Sequence, residues 1–270
     1  MLLVAAASAS AARPVVGALA WLDEDGPAGG GRVAMVRARL TLLDTFALVC
    51  DDEPVVLPMT AQRVLAFVAL HDRPLHRLYV AGSLWLDSPE DRAYASLRSA
   101  LWRLHRNGRG LIVIDGQQLA LGRDVEVDLR ESDVLARRAL DEADTEALGM
   151  NSSALTADLL PDWYEDWVLV ERERYRQLRL HALDTLCDRL TQAGRLSEAL
   201  AAGLAAVAGE PLRESAHRAV VRVHIAEGNG GEAIRQYRIC RRLLNEQLAI
   251  EPSERMHELV RSLEAPVTAG

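Results

Sequence analysis

Apolar and polar residues alternate between positions 36 and 57, which is the pattern of short strands that bury one face. The sequence DDEP at 51–54 predicts a turn. From Thr60, the expected N-cap, the apolar spacing in TAQRVLAFVALH becomes that of a helix. A short second helix is expected through RLYVAGSLWL to about Trp85, with His76 where a serine or threonine cap is usual.

The sequence DSPEDR predicts the start of a third helix, with Ser88 as its cap and Pro89 at the first helical position. This helix should continue to about Asn107, where NGRG stops it. Its apolar residues recur with helical spacing and predict one buried stripe. The members of that stripe are Leu97, Leu101 and Leu104, with Ala93 and Ala100 at its edges.

Two apolar strands, LIVID and QQLALG, follow the third helix and meet around Asp115–Gly116, which predicts a hairpin. The order of strands, three helices and a hairpin is that of a winged helix-turn-helix. The third helix of such a fold is the one that enters a DNA groove.

The third helix also carries a basic face. The chain has no acidic residue from Arg92 to Ile114, although its net charge is −8. Arginines opposite an apolar back suit a major groove about 12 Å wide, where they bind guanine edges or phosphates. An arginine-rich helix alone is more often a solvated surface, but the winged-helix context favours DNA binding. The candidate DNA-binding residues are Arg92, Ser96, Arg98, Ser99, Trp102, Arg103 and Arg106 on the helix, and Gln117 and Gln118 at the hairpin.

The second half of the chain reads as helical and contains a repeat. The segment AGRLSEAL at 193–200 recurs as EGNGGEAI at 227–234, an offset of 34 residues that is typical of tetratricopeptide repeats. Gly194 and Gly228 are expected at the turns between helices. The small residues Ala199 and Ala233 should lie where helices cross closely.

Two repeat units do not make a stable solenoid, so preceding helices at about 129–148 and 165–190 must complete it. Trp163 and Trp167 lie between these helices. They are either an aromatic partner-binding patch or packing residues that join the first helix pair to the next, and we favour packing.

Charge is unevenly distributed along the chain. Residues 34–125 hold 11 arginines and 10 acids, net +1, whereas residues 126–270 hold 18 arginines and 26 acids, net −8. These values exclude a uniformly basic nucleic-acid binder but allow a local basic element. The three cysteines include no close pair, which excludes a disulfide framework or zinc knuckle and favours the cytoplasm.

The sequence offers no catalytic, cofactor-binding or metal-binding motif, so we do not expect an enzyme. His217 and His224 lie seven residues apart without a third ligand, and we interpret them as packing or surface residues. The apolar run at the N-terminus is too short to span a membrane, so no membrane partner is expected.

Two parts of the chain are similar to known domains. The segment LLPDWYEDWVLVERERYRQLRLHALDTL, followed by AGRLSEAL and EPLRESAHRAVVRVHIAEGNGGEAIRQYRICRRLLNEQLAIEPS, resembles the bacterial transcriptional activation domain. The segments TAQRVLAFVALH and LWLDSPEDRAYASLRSALWRLHR resemble the winged helix of response-regulator type. Together, residues 36–264 resemble the SARP family, the Streptomyces antibiotic regulatory proteins.

The resemblance implies a transcriptional activator of antibiotic or other secondary-metabolite genes. It implies binding to direct repeats in double-stranded promoter DNA and contact with RNA polymerase holoenzyme near its promoter-recognition subunit. The helix at 89–106 would be the recognition helix and Gln117–Gln118 the wing tip. Whether the chain forms a homodimer before binding or only on DNA stays open.

We therefore predict a mixed fold, an N-terminal winged helix-turn-helix of α+β class followed by an all-α tetratricopeptide-like domain. The predicted function is sequence-specific DNA binding and activation in the cytoplasm. The alternative is a tetratricopeptide-like adaptor or signalling module whose winged helix no longer binds DNA. The predicted parts are a disordered extension or mis-assigned start at 1–33, the winged helix at 34–125, the activation domain at 126–264 and a flexible tail at 265–270.

Overall fold

The computed structural model describes residues 37–106 and 110–264. The predictions for residues 1–33 and 265–270, and for most of the NGRG segment, lie outside the described residues. The strands are β1 (Ala38–Thr41), β2 (Ala47–Cys50), β3 (Glu53–Pro54), β4 (Leu75–His76), β5 (Ile112–Asp115), β6 (Gln118–Leu121) and β7 (Val125–Val127). The α-helices are α1 (Met59–Ala69), α2 (Arg77–Leu84), α3 (Glu90–His105), α4 (Asp128–Leu140), α5 (Asp166–Gln192), α6 (Leu196–Gly209), α7 (Glu214–Ala226), α8 (Gly230–Leu248) and α9 (Glu254–Glu264).

Two small sheets accompany the first three helices. One has the strand order β3-β2-β1-β7, in which β7 joins β1 in parallel and places Val127 opposite Leu40. The other has the order β4-β6-β5. Its β5–β6 hairpin turns at Gly116, which has a φ of +53°, so the predicted hairpin is confirmed. The chain thus contains strands, three helices and a hairpin, followed by a helical half. This order confirms the predicted fold class.

Two predicted helix caps are wrong. The helix α1 begins after Pro58 and α3 begins after Pro89, and neither proline can supply a side-chain cap bond. Thr60 lies inside α1 rather than before it. Ser88 belongs to the preceding turn, where its backbone N–H donates to the carbonyl of Trp85. Both helices thus begin from the extended backbone of a proline, and not from a hydroxyl cap.

The side chain of His76 caps α2, although histidine is an unusual cap. Its Nδ1 accepts a hydrogen bond of 3.2 Å from the backbone N–H of Leu78. An unprotonated ring nitrogen can take the place of a hydroxyl oxygen here, since only an acceptor is needed.

The helical half departs from the sequence prediction in its first helix. The helix α4 ends at Leu140, short of the predicted 148, and two 3₁₀-helices follow at Thr145–Gly149 and Ser152–Leu155. The Asp144 carboxylate caps the first of these by accepting from the N–H of Ala147 at 3.0 Å. Aspartate at that position favours a new helix start over continuation of α4.

The repeat turns are confirmed. Gly194 and Gly228 join α5 to α6 and α7 to α8 with φ values of +74° and +77°. Ala199 and Ala233 are fully buried at the helix crossings. The left-handed backbone at both turns explains why glycine recurs after 34 residues.

The helix α5 takes part in two cores. Near its N-terminus, Val168 and Tyr175 pack in the core of the winged half. Further along, Leu183 and Leu190 pack in the core of the helical half. A single continuous helix therefore joins the two halves.

The segment before α5 is attached to the N-terminal sheet. The backbone N–H of Leu160 donates to the carbonyl of Leu42 at 2.9 Å. Arg172 on α5 donates to the carbonyl oxygens of Leu159, Leu160 and Trp163. These bonds hold the connecting segment against both halves.

Trp163 and Trp167 are packing residues, but they join different elements from those predicted. Trp163 stacks on Phe46 at a centroid distance of 5.8 Å, and Trp167 meets Phe67 edge-on at 5.2 Å. Both phenylalanines belong to the winged half. The tryptophans therefore fasten that half to α5, because its core supplies the aromatic partners.

Candidate nucleic-acid interface

The helix α3 separates an apolar face from a basic face. Its buried residues are Ala93, Leu97, Ala100, Leu101 and Leu104, none of them more than 4% exposed. The predicted stripe is thus confirmed as the face that packs on α1 and α2. Burial of that stripe fixes which side chains point away from the domain.

The predicted site residues on α3 share the opposite face, with one exception. Ser96 is only half-buried at the edge, so it is less accessible than the rest. The side chains exposed to solvent are Arg92, Arg98, Ser99, Trp102, Arg103 and, at the C-cap, Arg106. These six residues are called the arginine face below.

The predicted wing residues lie at the hairpin and are also exposed. Gln117 is in the turn, and Gln118 begins β6. Their backbone joins the start of α2, because the carbonyl of Gln117 accepts from the N–H of Arg77 at 2.8 Å and Gln118 pairs with His76. The structure therefore places the wing tip beside α2, while the arginine face belongs to α3.

The guanidinium groups of the arginine face differ in pairing from many arginines of the helical half. Within residues 37–106 and 110–264, no carboxylate lies in ion-pair distance of Arg92, Arg98, Arg103 or Arg106. Many arginines of the helical half instead have acidic partners, as in the pairs Arg137–Asp133, Arg138–Asp144, Arg176–Glu173, Arg213–Asp184 and Arg222–Asp188. An arginine without an acidic partner keeps its charge and donors available for phosphate or base oxygens.

Two neutral contacts orient members of the arginine face. Arg103 donates to the hydroxyl of Thr60 at 3.4 Å, and Arg106 lies over the ring of Trp102. The role of Thr60 was missed from the sequence, since it lies 43 residues from Arg103 and only the fold brings them together. Neither contact neutralises a guanidinium charge.

One buried histidine, His217, and the two cysteines of the helical half have structural roles. Nε2 of His217 lies 2.9 Å from the carbonyl of Pro211, and its Nδ1 lies 2.8 Å from the Gln236 amide. Burial lowers the pKa of His217, which favours the neutral imidazole. Burial raises the pKa of Cys187 and Cys240 to about 12, so both thiols stay protonated and unreactive. In the part of the chain that the structure describes, no group of three potential ligands could hold a metal ion.

Membrane-spanning structure is likewise not found among the described helices, none of which is both long and apolar enough to cross a bilayer.

Known proteins match both the fold and the second half of the sequence. Residues 119–264 match the family model of the bacterial transcriptional activator domain. The chain belongs to this family. The resemblance to SARP-type activators that the sequence predicted is thereby confirmed, and the family is one of transcriptional regulators rather than of enzymes.

One curated relative of the chain is the regulatory protein AfsR of Streptomyces griseus. The two are 28% identical over 200 residues, which are 68% of this chain and 20% of the relative. The chain thus spans about a fifth of that relative's length. A solved structure, Mycobacterium tuberculosis EmbR in complex with a low-affinity phosphopeptide, is similar with a TM-score of 0.70 at 19% identity. It covers 84% of this chain and 65% of the EmbR chain, and it supports the fold.

Proposed function

We propose that the chain binds promoter DNA through α3 and activates transcription of a secondary-metabolite gene cluster. The observation that carries this proposal is the arginine face, a set of exposed guanidinium groups without acidic partners among the described residues. Many arginines of the helical half have acidic partners, whereas the chain has no acidic residue from Arg92 to Ile114, so the four arginine charges of α3 are not neutralised locally. A helix of this kind suits the phosphate-rich, guanine-lined major groove.

The residues of the arginine face divide by position along α3. Arg92 and Arg98 belong to the N-terminal half and middle of the helix, which enter a groove most deeply in helix-turn-helix docking. We assign them to base edges, with Ser99 beside them. Arg103 and Arg106 lie in the last turn and are assigned to phosphates. Gln117 and Gln118 would touch the flanking backbone.

The helical half supplies the second part of the proposal. The matched family model is that of a bacterial transcriptional activator domain, and we propose that residues 126–264 recruit RNA polymerase holoenzyme in the cytoplasm while residues 34–125 hold the promoter. Binding of two copies to direct repeats would place two such recruiting surfaces at one promoter. The avidity of two linked sites exceeds that of either alone.

The test begins with in vitro selection of bound duplexes from a random DNA library. The selected duplex is then titrated with the wild-type chain, with Arg92→Ala/Arg98→Ala, and with Arg238→Ala/Arg242→Ala. The control arginines are exposed on α8, so they remove the same charge from another surface.

We expect the α3 variant to bind the selected duplex at least about tenfold more weakly, since each lost base contact costs about 1–3 kcal/mol. The α8 control should bind within about twofold of wild type. Failure to enrich any duplex, or equal loss in both variants, would favour the adaptor function, in which the winged half binds protein.

A further inference from the structure

A cleft lies between the α2–α3 connection and the segment that leads into α5. Residues 83–88 form one side and residues 164–167 the other, with Arg63 of α1 at the base. Its volume is about 560 Å³. Sites for small organic ligands have volumes of about 300–1,000 Å³ and often lie where two parts of a chain meet.

Aromatic rings form much of the cleft wall. Trp85 ends α2, while Tyr164 and Trp167 lie across from it. The Trp167 ring is held in place, because its Nε1–H donates to the Glu165 carboxylate and the ring makes an edge-on contact with Phe67. The fixed ring of Trp167 offers a flat apolar surface to an aromatic or aliphatic ligand, and the ring of Tyr164, 79% exposed, is accessible beside it.

The charges in the cleft are unbalanced. Nε of Arg63 lies 2.8 Å from the Glu165 carboxylate, and the Arg63 side chain also bonds the carbonyl of Leu84, so this pair is internally neutral. Asp87 and Asp166 remain, both exposed and on opposite sides of the cleft. Within the described residues, neither of these two carboxylates has an ion-pair partner. The lining therefore carries two uncompensated negative charges.

We propose that this cleft binds a small organic cation, an amine or amidine attached to an aromatic or apolar body. The rings of Tyr164 and Trp167 would pack on the body and attract the cation by their π faces. The Arg63 guanidinium carbon lies 5.6 Å from the centre of the Trp85 ring, so Trp85 would supply apolar surface only. The carboxylates of Asp87 and Asp166 would take the positive group. An anion is disfavoured, because the arginine at the base is already neutralised by Glu165.

The position of the cleft gives its ligand access to the recognition helix. Asp87 lies three residues before the start of α3, and Asp166 is the first residue of α5. A ligand held by both would tie the entry of α3 to α5. This regulatory part rests on the proposed function, and the ligand is inferred to change the affinity of α3 for DNA.

The experiment uses the full chain and two probes that share a phenyl ring on a short alkyl chain and carry head groups of opposite charge, 4-phenylbutylamine and 4-phenylbutyrate. Binding of each is measured by calorimetry in the absence of DNA. The test variant is Asp87→Asn/Asp166→Asn. The control is Glu246→Gln/Glu258→Gln, which removes two exposed carboxylates from α8 and α9. The selected duplex is then titrated with and without saturating amine.

We expect the amine to bind at least about fivefold more tightly than the acid, as expected for two nearby opposite charges in a half-open site. The test variant should lose that preference, whereas the control should keep it. Both variants should melt at the wild-type temperature. Equal binding of both probes, tighter binding of the acid, or undiminished binding to the test variant would overturn the cation site, whether or not the chain binds DNA. Amine binding that leaves the DNA titration unchanged would overturn the regulatory part.

Discussion

The guanidinium carbon of Arg106 lies 5.4 Å from the centre of the Trp102 ring, at the C-terminal end of α3. Both side chains are exposed, and Trp102 keeps 61% of its surface accessible to solvent. An exposed cation–π contact stabilises by about 0.5–1 kcal/mol, enough to favour one direction of the arginine. Trp102 thus holds Arg106 on the arginine face with its charge intact.

Arg106→Ala should weaken binding to the selected duplex and to random DNA by similar factors. The reason is that a phosphate contact carries no base sequence. We expect about 4–6 phosphate contacts per wild-type chain, and loss of one should lower the slope of log affinity against log salt by about one. Titration at several salt concentrations measures that slope, and Arg242→Ala on α8 is the matched control. A flat salt response of the wild type would contradict the prediction.

Arg92→Ala or Arg98→Ala should act differently, by reducing discrimination. Each should cost about 1–3 kcal/mol on the selected duplex and much less on random DNA, since a base-edge contact is lost. Binding titrations give the ratio of the affinities for the selected duplex and for random DNA, and this ratio should fall in each variant.

Leu101→Ala serves as a control for the same helix. Leu101 is only 4% exposed, so its truncation should lower the free energy of unfolding by about 2–5 kcal/mol through a cavity. If all arginine variants bind both duplexes as wild type does, the arginine face is only a solvated surface.

Gly228→Val and Gly194→Val should each lower the free energy of unfolding by about 1–3 kcal/mol. At both positions an added Cβ would meet no atom within 4 Å, so the whole cost arises from the positive φ. Gly231→Ala, in open space within α8, should be neutral or slightly stabilising. Denaturant unfolding of the three variants checks this, and equal stability of all three would show that the left-handed turns carry no cost.

Much of this structure could be predicted where apolar spacing is regular and long. The stripe of α3 spans about three turns, and the glycine turns recur with a 34-residue offset, so both leave a clear periodic signal. The pairing of β1 with β7 could not be predicted, because strands of three or four residues carry little periodicity and their partners are distant in the chain. The attachment of the segment at 158–160 to residues 42–44 is formed mainly by backbone bonds between residues far apart in the chain, so apolar spacing gives no signal for it.

The candidate site could likewise be predicted from the sequence only in part. The exposed face of α3 followed from its helical wheel, because burial of one stripe determines the other. The contact between Arg103 and Thr60 did not, since it depends on how α1 crosses α3. The predicted hydroxyl caps at Thr60 and Ser88 failed, because a proline directly before each helix already holds the chain in the required extended conformation.

Arg172→Met should loosen the segment between the two halves. Methionine is also long and unbranched, but it lacks the guanidinium that donates to three carbonyl oxygens, those of Leu159, Leu160 and Trp163. A buried polar group left without its partner costs about 1–3 kcal/mol. Limited proteolysis should cut this segment faster, whereas Arg238→Met on α8 should leave the rate unchanged. Identical cleavage of both variants would show that the carbonyls are held by other contacts.

His217 should make the helical half less stable in acid. Burial lowers its pKa in the folded state, so the unfolded chain binds its proton more readily. The stabilisation from the neutral ring is therefore complete above the ordinary histidine pKa of about 6.5 and is lost as the pH falls below it. The free energy of unfolding of wild type relative to His217→Gln should decrease between pH 7.5 and pH 5. His181→Gln, at an exposed position on α5, controls for removal of a histidine, and a difference that stays constant with pH would contradict the assignment.

The helix α5 has 27 residues and is about 40 Å long, and its two ends are built into different cores. It cannot rotate against either half without breaking a packed interior. On a duplex bound as proposed, the angle of α3 in its groove therefore also sets where the helical half stands around the DNA axis. Direct repeats separated by whole turns of about 10.5 base pairs place two helical halves on the same side of the duplex, and half a turn more places them on opposite sides. Under the proposed function, the helical phase of the two repeats, and not only their sequence, would therefore determine how two copies of the chain are arranged on a promoter.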